Sequence, residues 1–177
     1  MAKIDNDKYA IVRLDNLTGT TDGAKIVSAK FYNANNAEAA IENGNVVAIS
    51  DTLVAINETL SHREIYKVGA PAASDTRDTI GLVASVEMIK DVPTNRYDLA
   101  DFINKAGDVI RVYALEKGDE FSVTAKAISG TPSKGKYVKL TAGSTLWTVA
   151  DAATNAIGVI VDVETVDKDV YYVIKVK

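Results

Sequence analysis

The 177-residue chain has no cysteine, one histidine, one tryptophan and three prolines. Without cysteine there is no disulfide framework, thiolate nucleophile, zinc finger or cysteine-ligated iron–sulfur cluster, because each needs sulfur. A single imidazole likewise removes metal sites built from several histidines. No run of about eighteen apolar residues is present to span a bilayer as a helix, so no membrane partner is expected. Residues Met1 to Asp7 are polar and acidic and lack the apolar stretch of a secretion signal, which sets the expectation of a cytosol-like compartment. Concentrated positive charge is also missing: 20 Lys and Arg are interspersed among 24 Asp and Glu, for a formal net charge of −4. Nucleic-acid binding draws most of its free energy from a dense cationic footprint, so no nucleic-acid partner is expected.

Apolar side chains, at 47% of residues, are plentiful enough for a core. A compact fold of this length buries roughly 70% of the surface of its unfolded chain and fits one large domain or two small ones. Helix signals are few. Asp98 to Gly107 reads as a helix, with Leu99, Phe102, Ile103 and Ala106 at helical spacing, Asp98 as its cap and Gly107 as its left-handed stop. Asn36 to Asn43 suggests one or two further turns.

Strand signals are dense. Runs rich in Val, Ile, Thr and Tyr recur at Tyr9–Leu14, Lys25–Tyr32, Val46–Ile49, Glu64–Val68, Ile80–Met88, Val109–Leu115, Glu120–Ile128, Tyr137–Leu140, Ile157–Val166 and Val170–Val176. Turn clusters separate them, among them Thr18–Gly23, Glu116–Asp119 and Ser129–Gly135. The expected fold is mainly β: two small sandwich- or barrel-like modules with one short helix between them and an extended N-terminal segment. The expected boundaries are an arm or edge hairpin over 1–36, a first module over 37–117 that includes the helix near 98–106, and a second module over 118–177. Tyr9–Tyr32 reads either as an arm for a neighbouring molecule or as an edge hairpin of the first module. In the last hairpin, period-two alternation sets Val159, Val161 and Val163 on a core face, matched on the return strand by Val170, Tyr172, Ile174 and Val176.

One pattern occurs twice. Gly44-Asn45-Val46-Val47-Ala48-Ile49, followed by Ile80-Gly81-Leu82-Val83, is echoed by Gly135-Lys136-Tyr137-Val138-Lys139-Leu140, followed by Ile157-Gly158-Val159-Ile160. Both read Gly-x-x-Val-x-(Ile/Leu), then Ile-Gly-x-(Val/Ile). The match has two readings, a duplication or a coincidence between two β-rich stretches.

Catalytic signatures do not emerge. Ser61 and His62 are adjacent, whereas a nucleophile and its base must face each other, and no Gly-x-Ser-x-Gly elbow occurs; His62 is read as a surface residue in the loop Asn57–Arg63. Asp98 with Asp101, or Glu116 with Asp119 and Glu120, could form a carboxylate pair, but a cap and the decoration of a hairpin tip account for them as well. Asp5-Asn6-Asp7 and Asp167-Lys168-Asp169 supply hard oxygens without the spacing of a calcium loop. Gly130 to Gly135 resembles a phosphate loop only in composition, since Pro132 stands inside it and strands flank it. Trp147 alternates with apolar neighbours and reads as a core or interface residue. The expectation is a protein that is not an enzyme, with no catalytic, cofactor-binding or metal-binding residues.

Taken in order, Ile41–Val47, Arg63–Tyr66, Leu82–Met88, Leu99–Gly107, Arg111–Tyr113, Gly118–Thr124 and Tyr171–Ile174 resemble a family of tailed-bacteriophage head proteins encoded next to the major capsid protein. The resemblance covers about Ile41 to Val176 and rests on the order of the pieces. It implies a virion structural protein, made in the host cytoplasm, that binds the assembled capsid lattice non-covalently and decorates or stabilises the head. Its implied partner is the major capsid protein, with self-association on the lattice as a further option. Two other readings stay open: a tail or connector component of the virion, and a β-rich carbohydrate-binding or adhesive module.

Overall fold

The computed structural model describes residues 8–55, 61–87 and 99–177, with side chains for all of these except 61–63. The protein is mainly β, and its strands form two units. The first is a closed barrel of β2 (Ile26–Phe31), β3 (Val46–Ala55), β4 (Ser61–Gly69), β5 (Ile80–Val83) and β6 (Ile110–Ala114), in the order β2-β4-β3-β5-β6. The second is a seven-stranded sheet of β1 (Val12–Asn16), β7 (Glu120–Thr124), β8 (Ile128–Ser129), β9 (Tyr137–Lys139), β10 (Trp147–Ala150), β11 (Ala156–Val166) and β12 (Asp169–Val176). Its order is β1-β7-β12-β11-β9-β10-β8. Tyr9–Tyr32 is therefore divided: β1 lies antiparallel on β7 of the second unit, and β2 closes the first by pairing parallel to β4 and antiparallel to β6.

Strand alternation decides which side chains fill each unit. Inside the barrel lie Ala29, Val47, Val68, Val83, Ile110 and Val112, all buried. Their strand neighbours Val46, Ile80, Leu82 and Tyr113 point the other way, outward from the barrel, yet they too are buried. They pack into the core of the second unit beside Phe121, Val123, Val138, Trp147, Ile160 and Ile174. One face of the barrel is thus docked on the second unit, and the two share a continuous apolar interior.

Several expectations are corrected. The helix over Asp98–Gly107 is a single 3-10 turn at Leu99–Asp101; Asp98 lies outside the described residues. Beyond the turn, Asn104 pairs with Ile41 through backbone bonds in both directions, at 3.1 and 3.0 Å, and this tertiary bridge replaces the helical turn. Asn36–Asn43 is also not helical: a turn at Asn33–Asn36 leads into bridges at Glu38 and Ile41. Among the described residues the one α-helix is a four-residue turn at Thr18–Thr21. A strand absent from the expected set, β10, carries Trp147, and the run Glu120–Ile128 is broken by a 3-10 turn at Ala125–Ala127. In the last hairpin a bulge between Ile160 and Asp162 shifts the register. Ile160 is fully buried, Val161 is half-buried, and Val163 and Val170 are 39% and 40% exposed. Ile174 and Val176 are buried on the face expected of them.

Candidate functional site

The carboxylates singled out above go to separate structural tasks. Asp119 is buried, and its carboxylate accepts three bonds: from the Thr18 amide at 2.9 Å, the Thr18 hydroxyl at 2.7 Å and the Glu116 amide at 2.8 Å. It therefore fastens the Thr18–Thr21 helix to the turn before β7, instead of decorating a hairpin tip. Charged acceptors with several N–H donors form the stronger class of hydrogen bond. Glu116 pairs with Lys25, whose ammonium is held above the usual lysine range by that carboxylate, and Glu120 pairs with Lys175 at 2.7 Å. The three acids do not converge on one point. Asp101 sits on the 3-10 turn, and its expected partner Asp98 lies outside the described residues.

His62 belongs to β4 and not to a loop; Asn57 to Leu60, in the same expected loop, lie outside the described residues. So does Asp5-Asn6-Asp7. Asp167 takes a left-handed conformation at the tip of the β11–β12 hairpin. Among the described residues, no three histidines or carboxylates are grouped to hold a metal ion. Gly130 and Gly135 both have positive φ, at the two ends of the β8–β9 connection.

A buried polar network, which sequence reasoning missed, ties the entry to β3 to the chain after β5. The Asn43 side-chain amide donates to the Ser85 carbonyl at 3.0 Å and to Glu87 at 3.3 Å, and its oxygen accepts from the Ser85 amide at 3.0 Å. Asn104 donates to the same oxygen at 3.1 Å and to the Ile41 carbonyl at 3.0 Å. Burial holds the Glu87 carboxyl above the usual range, opposed in part by the bond from Asn43. Isolated asparagines in a β-rich sequence carry no signal of such a role; their partners lie 42 to 63 residues away.

The surface of the described residues also carries a cleft and a hairpin of note. An open cleft of about 400 Å³ lies where the loop before β5 meets the second unit, with Asp75, Arg77, Asp78, Leu140, Ile157 and Lys177 in its wall. Most of its charged groups are engaged by the protein itself. Arg77 donates to the Lys177 carbonyl at 2.8 Å and pairs with Asp78 at 3.2 Å, and Asp75 accepts from the Ala72 amide. The second feature is the distal half of the β11–β12 hairpin, where Asp162–Val166 runs past the β11–β9 pairing. It exposes Val163, Val166 and Val170, flanked by the ion pairs Lys134–Asp162 and Arg13–Glu164.

Comparison with models of known families, with curated proteins and with solved structures found no match.

Proposed function

We propose that the protein is a structural component of a phage virion that binds the assembled capsid lattice non-covalently, through the major capsid protein, and decorates or stabilises the head. The ordered resemblance along Ile41–Val176 motivates this reading. The structural observation that supports it is the distal β11–β12 hairpin, where Val163 and Val170 lie on the same face of the paired strands, 39% and 40% exposed. Exposed apolar groups rimmed by charge suit a contact surface, and a hairpin built into the sheet loses little conformational freedom on docking. Work of this kind needs no convergent catalytic groups.

The test is to mix the purified protein with expanded capsids that lack it and to image the particles. Density at a fixed lattice position with stoichiometric occupancy is expected. Capsids that stay bare at saturating protein concentration would sink the proposal.

A further inference from the structure

We infer that the chain is a tandem duplication of one five-stranded unit, with β2–β6 as the first copy and β7–β12 as the second. The sequence echo supplies the alignment, and the hydrogen-bonded ladders follow it except at one rung, where Ala48 pairs with Ile80 but Lys139 pairs with Ala156 across a register shift. In β3–β5, Val47 pairs with Gly81 and Val46 with Leu82; in β9–β11, Val138 pairs with Gly158 and Tyr137 with Val159. The next ladder repeats this. Gly81, Leu82 and Val83 face Ala114, Tyr113 and Val112 on β6, as Gly158, Val159 and Ile160 face Val176, Lys175 and Ile174 on β12. In the third, Ile26, Val27, Ser28 and Ala29 face Tyr113, Val112, Arg111 and Ile110. Glu120, Phe121, Ser122 and Val123 face Lys175, Ile174, Val173 and Tyr172 in the same way.

The remaining pairings also correspond, although only the first unit closes into a barrel. β4 lies antiparallel to β3 and parallel to β2, and β10 lies antiparallel to β9 and parallel to β8. Phe31 meets Val68 in the first copy where Ile128 meets Trp147 in the second. The counterpart of β2 is β7 and β8 together, and the three residues Ala125–Ala127 form an inserted 3-10 turn that splits one strand into two.

Local details repeat as well. Gly44 and Gly135 both have positive φ, at 84° and 86°. The Gly44 amide donates to the Val83 carbonyl and the Val83 amide to the Asn45 carbonyl, at 2.7 and 2.9 Å; Gly135, Ile160 and Lys136 make the same two bonds at 2.8 Å each. A Cβ on Gly81 or on Gly158 would stand 2.9 or 2.8 Å from a carbonyl oxygen of the neighbouring strand, so both positions require glycine. The interiors correspond: Ala29, Val47, Val83 and Val112 fill the first copy, and Val123, Val138, Ile160 and Ile174 occupy the same places in the second. Strand order alone recurs in unrelated barrels. A shared register in three consecutive ladders, where a one-residue slip would turn every side chain over, is a far narrower coincidence.

The copies have diverged on one face. Val46, Leu82 and Tyr113 of the first are buried against the second, whereas their counterparts Tyr137 and Val159 are half-buried and Lys175 is exposed. Two measurements on the full chain test the inference. In an isotope-labelled sample, cross-strand proton contacts should join Val47 to Gly81 and Val138 to Gly158, and Gly81 to Ala114 and Gly158 to Val176. A one-residue offset in either set would overturn it. In thermal melts, Val83→Asp and Ile160→Asp should each lower the midpoint by about 10 °C or more, since each buries a charge in the interior of its unit. Leu82→Lys should cost as much, while Val159→Lys should shift the midpoint by only a few degrees, roughly as an edge substitution does. Tolerance of Asp at Val83 or Ile160 alone, or equal damage at Leu82 and Val159, would refute the correspondence of interiors and faces.

Discussion

The indole N–H of Trp147 donates to the carbonyl of Gly44 across 2.9 Å, from a side chain with no solvent exposure. This bond joins the two units at the point where the barrel face enters the second core. The Trp147 ring also tilts against Phe121 with centroids 5.4 Å apart. Trp147→Phe should cost about 2 kcal/mol, mainly because the buried Gly44 carbonyl is left without its donor. Trp147→Ala should cost about 4 kcal/mol through the cavity it creates. Denaturant titration followed by far-ultraviolet circular dichroism measures both, and both variants should still unfold in one transition because the units share a core.

Asp119 offers a second test. Its carboxylate satisfies three donors from two segments. Asp119→Ala strands the two amides and should cost about 3 kcal/mol, whereas Asp119→Asn keeps the shape and some acceptor capacity and should cost roughly half of that. A loss under about 0.5 kcal/mol for the alanine variant would contradict the fastening role.

Register in the last hairpin is open to a paired substitution. Ile160→Asp should cost several kcal/mol, on the order of 4, because the charge enters a sealed core. Val161→Asp should cost clearly less, about 1 to 2 kcal/mol, since the bulge leaves that side chain half-buried. Equal losses would mean that the strand runs without the bulge.

Glu87 carries a pH dependence of definite sign. Its folded carboxyl is held above the ordinary range by burial, so ionisation costs stability. The contribution is most favourable below the unfolded carboxylate pKa and is lost as pH rises through the folded value. Glu87→Gln, which still accepts from Asn43, should raise the melting midpoint at pH 7 and leave it unchanged near pH 3. A variant less stable than the wild type at pH 7 would contradict burial as the dominant influence.

Much of the fold is legible in the sequence because period-two alternation follows directly from strand geometry. Runs such as Val109–Leu115 and Tyr137–Leu140 mark strands β6 and β9 to within a residue or so. The failures have physical causes. Leu99, Phe102 and Ile103 keep helical spacing, but the bonds between Asn104 and Ile41 hold that stretch in a bridge set by residues some sixty positions away. The bulge after Ile160 inverts a face that strict alternation would predict, and bulges leave no compositional mark. The echo around Gly44 and Gly135 is visible as a pattern, but its weight comes from the ladders. The roles of Asp119 and of the Asn43 network depend on donors brought from distant segments.

The pairing of β1 with β7 has a kinetic consequence. The Thr124 amide reaches back to the Ile11 carbonyl, so β1 waits for a partner that is synthesised more than a hundred residues after it. Closing so long a loop is entropically costly and tends to slow folding. Until β7 is synthesised, Val12 and Leu14 have no core to enter and the β1 backbone is unpaired, which is the condition in which strands associate with the wrong chain. The yield of native protein during synthesis should therefore depend on how fast the second unit follows the first, and on what is fused ahead of β1.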